Sequence, residues 1–479
     1  LTMLDIAVIR EKPEWVKEQL GKLFDESVAP RIDKIVELDI KRREMRTETE
    51  TIQSKRNSLN KLNGRLRGNK NLNEGQKATV AVSAAAAIKE GEYDKAITIL
   101  EAQGEVAELE GASKGAKSEF DTLIAALREL GSRMDEGFDK IKQVEAHLQE
   151  EMLWIPNMPH ESVPVAESDE ENVPHEVHGT IPKFDFEPKA HWDLGPEVGM
   201  LDFERGVKIS GSRFYVARGW GARLQRALIN FYLDTAIANG FTPLYVPHMV
   251  HADSLFGSAQ FPKFRDTVYR DDEEDYYFLP TAEVAITGMH RDEIFDESDL
   301  PLYYVAHTPC YRREKTSAGR DTRGIKRGHQ FEKVEMYKFV TPETSYDELE
   351  SLTEAAEGVC AALGLPYRRL EIVSGDLGFS ASKKYDVEVW AVGCDEWLEV
   401  SSCSNTEAFQ ARRSMVRYRP DGSNSNEYVH TLNGSGLAVP RVMIAIMENN
   451  QQADGSIVIP EVLRPYLGGA EVIPAPEAG

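Results

Sequence analysis

Leu38, Met45, Ile52, Leu59 and Leu66 recur every seven residues along 31–67, with polar residues between them. A narrow apolar stripe at that spacing predicts one long helix that packs against another helix. The stretch has no Gly before Gly64 and no Pro after Pro30. A second stripe, Phe120, Leu127, Met134, Ile141 and Leu148, crosses 117–152, with Leu123, Leu130 and Val144 interleaved and Gly137 at the gap. Together they predict an antiparallel helical hairpin. A helix of ~36 residues is about 54 Å long, which makes an arm and not a core. Between the stripes, 68–116 is punctuated by Gly68, Gly75, Gly91, Gly104, Gly111 and Gly115, with helical segments expected at 76–89 and 93–102.

Seven prolines (Pro156, Pro159, Pro164, Pro174, Pro182, Pro188 and Pro196) and an acidic run at 167–171 mark 155–196 as linker chemistry. Beyond it the pattern changes. Short apolar runs read as strands at 244–246, 276–279, 302–307, 332–340, 367–373, 384–391 and 397–401. They alternate with helical stretches, and the short connections predict a large, mostly antiparallel sheet. Residues 470–479 read as a frayed tail.

Composition narrows the class. At 479 residues and 41 % hydrophobic content the chain is of ordinary globular type. No apolar run approaches the ~20 residues of a membrane helix, and residues 1–5 lack a basic-then-apolar signal pattern. Four scattered cysteines without a C-x-x-C pair fit a reducing cytoplasm and offer no zinc site. A net charge of −24 argues against a surface that grips nucleic acid everywhere. Against that background 31–67 carries 11 Lys/Arg and 6 Asp/Glu, a local balance of +5. On charge alone, an arm that reaches nucleic acid is favoured over a spacer or dimerisation coil.

The richest chemistry lies in 310–337, CYRREKTSAGRDTRGIKRGHQFEKVEMY. Both ends read as strands around a Gly, Ser, Thr and Arg-rich loop at 315–324. Arginines at 312, 313, 320, 323 and 327 would repel one another without an anion, and the planar guanidinium suits phosphate. Phe331 and Glu335 are four apart on a strand and so share a face. The common phosphate loops, G-x-x-x-x-G-K-[ST] and G-x-G-x-x-G in a βαβ unit, are absent. His175 and His178 fall in the Pro-rich stretch, where chance explains them better than a metal.

In order along the chain, these pieces resemble the seryl-tRNA synthetases, bacterial-type class II aminoacyl-tRNA synthetases, over nearly the full length. Thr281-Ala282-Glu283 matches the T-x-E loop. Arg312-Arg313-Glu314, Arg320 to Gly324, His329-Gln330-Phe331 and Glu335 match motif 2. Residues 399–405, EVSSCSN, match the metal and ribose strand. Residues 433–439, NGSGLAV, with Arg441 and Glu448-Asn449, match motif 3, and the helix 221–239 running to Pro247 looks like motif 1. Lys315-Thr316 stand where the family usually has a small Ala-Gly pair, and the insert at 68–116 is longer than is usual.

The resemblance implies an α+β protein: an N-terminal antiparallel coiled-coil arm, then a class II catalytic domain on a mostly antiparallel sheet flanked by helices. The expected domains are 1–154 for tRNA binding, a linker at 155–196, a catalytic domain at 197–470 and a tail at 471–479. The implied reaction activates L-serine with ATP to seryl-adenylate and transfers the seryl group to tRNA(Ser), and by family also to tRNA(Sec) where a host has it. Arg312, Arg441 and Glu399 are the implied catalytic residues. Serine is assigned to Thr281, Ala282, Glu283, Arg312, Glu335, Asn433 and Ser435. ATP is assigned to Arg312, Arg313, Glu314, Arg327, Gly328, His329, Gln330, Phe331, Glu399, Val400, Ser401, Ser402 and Arg441. Mg2+ is assigned to Glu399 and Ser402, and zinc is not expected. A cytoplasmic homodimer is the expected assembly. An amino acid:carrier-protein ligase would lack the arm and use a zinc-binding Cys. A degenerate, RNA-binding relative would have lost Arg312, Glu335 or Arg441, and all three are present.

Overall fold

The computed structural model describes residues 4–103, 116–315 and 323–475. The expectations for Gly104, Gly111, Gly115, Thr316, Arg320 and the last four residues lie outside those ranges. Two compact units emerge: 33–151, and Leu1–Ile32 together with Met152–Gly479.

The first unit holds most of α1 (Val28–Gly68), α2 (Glu74–Lys89), α3 (Tyr93–Glu101) and most of α4 (Ala116–Leu153). Its long helices run antiparallel. Thr49 lies against Gly137, Arg56 against Gly131, and the Arg67 guanidinium sits 5.7 Å from the Phe120 ring. The gap that Gly137 makes in the heptad is thereby explained, because a Cβ there would stand 2.6 Å from the Thr49 hydroxyl. At the tip, Leu59, Leu62 and Leu66 join Leu123, Leu127 and Leu130 around the small face of α2, Ala81, Ala84 and Ala85. Asn73 caps α2 in a reciprocal box with Gln76.

The second unit is built on an eight-stranded sheet. In chain order its strands are β1 (Val173–His178), β2 (Thr242–Leu244), β3 (Leu302–Tyr311), β4 (Gln330–Val340), β5 (Tyr367–Glu371), β6 (Lys383–Ala391), β7 (Glu396–Asn405) and β8 (His430–Ala438). Their spatial order is β1-β5-β6-β7-β8-β4-β3-β2. Neighbours are antiparallel except β2 with β3. The helices that matter below are α5 (His191–Glu197), α6 (Trp220–Ala238), α7 (Glu283–Met289), α8 (Ser345–Ala362) and α9 (Val439–Asn449). The larger core packs α6, α8 and α9 on the sheet through Leu228, Leu352, Val387, Leu432 and Met443.

Two strands escape the apolar pattern for different reasons. Strand β1 is exposed along its length and carries Pro174, as an edge strand can. The Pro-rich stretch is therefore no free connector. It supplies a strand to the sheet, buries Ile155 and His191, and belongs to the compact unit made of Leu1–Ile32 and Met152–Gly479. Strand β8 contains Gly434 and Gly436, residues that ordinarily weaken strands. Gly434 answers a close approach, since a Cβ there would stand 3.0 Å from both Cys403 Sγ and Leu352 Cγ and press on both side chains. The tail also departs from expectation: Val472–Ile473 pair with Ile457–Val458, and Ile473 is 1 % exposed in the larger core.

Overpacking that point tests the reading. Gly434→Val should destabilise the protein by about 1–3 kcal/mol, seen as a lowered Tm. An unchanged Tm would show that α8 is free to move away from the sheet.

Candidate active site

Alternation along β4 sends Phe331, Lys333 and Glu335 to one face, where they floor a cavity of about 330 Å³. Ser435 of β8 is paired with Glu335 across the strands, and Asn433 lies two residues away on the same face. Glu399 and Ser402 are three apart on β7, which regular alternation would place on opposite faces. A bulge at Val400 shifts the register against β6 and brings both to the cavity.

Charge divides the cavity. At one end Arg312, Arg327 and Arg441 converge with Lys326 and Glu314. Arg312 follows the last residue of β3. Its backbone N–H donates to His329 O at 2.9 Å, its Nε donates to Pro280 O at 3.2 Å, and its guanidinium lies 5.2 Å from the Phe331 ring centre. Arg441, in the first turn of α9, donates from Nη1 to Glu399 O at 2.7 Å and from Nε to Lys326 O at 3.4 Å. Arg327 faces Glu314 at 3.5 Å. Crowding in the cleft pushes the Glu399 carboxyl up, but Arg441, Lys384, Arg312 and Arg327 outweigh it and hold the group below the ordinary carboxylate range.

The other end is acidic and buried. Glu283, at the start of α7, accepts at Oε1 from Gln410 Nε2 at 2.5 Å and from Asn433 Nδ2 at 3.0 Å. Burial and the neighbouring Glu335 raise its pKa to about 7, against the pull of Gln410, Lys333 and Arg312. Lys333 pairs with Glu335 and donates to Thr281 Oγ1 at 2.8 Å. Gln410 is itself fixed, accepting from Tyr337 OH at 2.8 Å and Thr431 Oγ1 at 2.9 Å.

Several expected residues turn away. Ala282 is fully buried in the smaller core. Arg313 donates to Val268 O at 3.2 Å and lies 4.7 Å from the Tyr269 ring. His329 packs with Tyr269 and Phe214. Gln330 is exposed, on the opposite face of β4 from Phe331. Ser401 faces the core, donating to Ser435 O at 2.5 Å. Alternation explains the last two. Sequence reasoning missed Lys333, although it stands midway between Phe331 and Glu335. It also missed Gln410, Gln260, Lys326 and Asp386. Gln410 and Asp386 had no local motif to reveal them.

The antiparallel sheet with its convergent arginines and buried carboxylates is a class II aminoacyl-tRNA synthetase core, as comparison with known families shows. The chain matches the tRNA synthetase class II core domain (G, H, P, S and T) over residues 264–450 and the seryl-tRNA synthetase N-terminal domain over 3–109. A serine--tRNA ligase of Roseiflexus sp. (strain RS-1) is 49 % identical, with 98 % of this chain and 99 % of the relative covered. One from Clostridium tetani is 44 % identical over 98 % of this chain and 100 % of its own length. Among solved structures, seryl-tRNA synthetase from Pyrococcus horikoshii complexed with ATP superposes with a TM-score of 0.83 at 35 % identity, covering 99 % of this chain and 100 % of that one. The chain belongs to the seryl-tRNA synthetases, ligases that activate serine with ATP and charge tRNA with it.

The raised Glu283 pKa has a stability consequence with a definite sign. The folded state holds this proton more tightly than the unfolded chain does. Stability is therefore lost as pH rises from the ordinary value of 4.5 to about 7, and the loss is complete above that. The full shift corresponds to about 3 kcal/mol. Glu283→Gln keeps both accepted hydrogen bonds and removes the charge. It should raise the Tm of the ligand-free protein at pH 8 and leave it nearly unchanged at pH 4. An equal effect at both pH values would contradict a proton held near neutrality.

Proposed function

We propose that the charge-divided cavity holds the two halves of seryl-adenylate, the amino acid at the carboxylate end and the nucleotide at the arginine end. The separation of Glu283 and Glu335 from Arg312, Arg327 and Arg441 along one sheet face is the observation that supports this most. Serine's ammonium meets Thr281, Glu283 and Glu335, displacing Lys333 from its carboxylate partner. Its hydroxyl meets Glu335 and Ser435. Alanine fits the same space but leaves those buried groups unpaired, which is the economical way to reject it. Arg312, the member of the arginine end whose charge reaches Glu283, stands where the serine carboxylate attacks the α-phosphate and offsets the charge gathered there. Positioning and charge stabilisation suffice, with no side-chain nucleophile. Phe331 and Arg441 sandwich the adenine, Glu314 accepts from its amino group, and Arg327 takes the far phosphates.

Glu399 and Ser402 are hard oxygen donors suited to Mg2+. Behind them Asp386 is the cross-strand partner of Ser402 and keeps one oxygen buried without a partner among the described residues. That donor set fits the ion. Mg2+ bound there supplies positive charge to the phosphates.

The basic first helix of the arm takes the backbone of a structured RNA, tRNA(Ser), where scattered Lys and Arg suffice. Two copies of the chain associate through the 221–247 region. Exposure of Ile237 (44 %) and Tyr245 (90 %) supports that contact. Four free thiols accord with a cytoplasmic site of action.

Arg312→Ala should abolish serine-dependent ATP–pyrophosphate exchange, by at least the ~10²-fold that one charge-stabilising donor contributes, with Tm nearly unchanged. Near-normal exchange would remove Arg312 from the reaction. Deleting 33–151 and joining the ends should leave that exchange largely intact and remove most serylation of tRNA. Serylation at the undeleted rate would make the hairpin a spacer.

A further inference from the structure

Among the described residues one cluster has the composition of a metal site: His191, Cys394 and Glu448, whose ligand atoms lie within 4.8 Å of one another. It lies outside the cavity lining, and no role described above uses it. Its hydrogen bonds decide what it is. Glu448, near the end of α9, is fully buried. Its Oε1 accepts from the His191 backbone N–H at 2.9 Å and from the Cys394 thiol at 3.0 Å, and lies 2.7 Å from His191 Nδ1. Its Oε2 accepts from the Cys394 backbone N–H at 2.9 Å. On the other side of the ring, His191 Nε2 accepts from the backbone N–H of Ile325 at 3.1 Å.

That last bond sets the tautomer. A nitrogen that accepts an N–H carries no proton, so the proton sits on Nδ1 and points at the carboxylate. A metal on Nδ1 would need the proton on Nε2, and two donors would then face each other at Ile325. The thiol agrees with this reading. Burial and the Glu448 carboxylate push Cys394 up, keeping it a protonated donor and not a thiolate ligand. The cluster is a closed hydrogen-bond chain.

What that chain holds is the limb by which the arginine-rich loop returns to the sheet, and α5 meets the limb at three successive residues. His191 accepts from Ile325, Trp192 lies 4.6 Å from the Arg323 guanidinium and 5.3 Å from Lys326 Nζ, and Asp193 lies 3.8 Å from Arg323. Gly324 has φ +71°, and a Cβ on it would stand 1.9 Å from His191 Nε2. The ring therefore fills the space that the glycine leaves. Three residues beyond Gly324 is Arg327, at the arginine end of the cavity.

We propose that His191 is a positioning residue for ATP, a tautomer fixed by Glu448 whose Nε2 sets the 323–328 limb and so aims Arg327. The inference rests on the assignment of the arginine end to the triphosphate.

The test compares three variants of the full-length protein by ATP–pyrophosphate exchange, with Tm and metal content measured alongside. His191→Ala should raise the KM for ATP on the order of tenfold, the effect of one lost buried hydrogen bond, with the KM for serine within about twofold. His191→Gln places an acceptor near Nε2 and should restore much of the ATP affinity. His191→Asn reaches only Glu448 and should not. If Asn rescues and Gln does not, the residue serves the Glu448 contact alone and the proposal is overturned. Equal changes in both KM values would overturn it as well. So would stoichiometric zinc in the purified protein that is lost on Cys394→Ser. Arg327→Ala separates the underlying assignment. If it leaves the KM for ATP unchanged, the arginine end does not bind the phosphates, and the inference falls with it. If it raises that KM while His191→Ala does not, only the inference fails.

Discussion

Two buried carboxylates stand close together beneath a sheet strand, and much of the site is arranged around that repulsion. Burial and the charge of Glu335 make Glu283 hold its own proton more tightly, with a pKa raised to about 7. Lys333 sits between Phe331 and Glu335 and offsets one charge. Gln410 and Asn433 donate to the other carboxylate. In water such a pair would cost little. In this floor it is costly unless a cation shares the space, a requirement that an ammonium meets. The convergent arginines at the opposite end carry the mirror-image requirement, and a ligand bearing an ammonium and phosphates answers both.

The sheet serves this arrangement through its irregularities. A regular β7 would send Glu399 and Ser402 to opposite sides, and the bulge at Val400 unites them. A second bulge in β8, after Ser435, brings Ala438 to the cavity ahead of Arg441. Gly434 lets α8 press against the sheet just behind Asn433 and Ser435 of β8. Function here comes from local departures from strand geometry placed on a rigid frame.

Much of this was legible in the chain. The heptad stripes gave both arm helices to within a few residues, because a long helix with one apolar seam leaves an unambiguous period. The motif residues Thr281, Glu283, Arg312, Phe331, Glu335, Glu399 and Arg441 all reach one cavity. The edge strand at 173–178 was not legible, since it buries nothing and carries a proline. Nor was β8, whose Gly434 obeys a packing need set by α8, far away in sequence. Ala282, Arg313, His329, Gln330 and Ser401 were included as motif neighbours, whereas alternation and local contacts turn them elsewhere. Gln410 and Asp386 act through residues distant in the chain, and no spacing rule connects them to the site.

The central claim is that the cavity reads its ligand by charge, ammonium at one end and phosphate at the other. A crystal structure with a non-hydrolysable seryl-adenylate analogue tests it directly. The account predicts the ammonium within hydrogen-bonding distance of Glu283 and Glu335, the hydroxyl at Ser435, and the phosphoryl analogue against Arg312. A ligand bound in the reverse sense, or one whose ammonium lies away from both carboxylates, would contradict it.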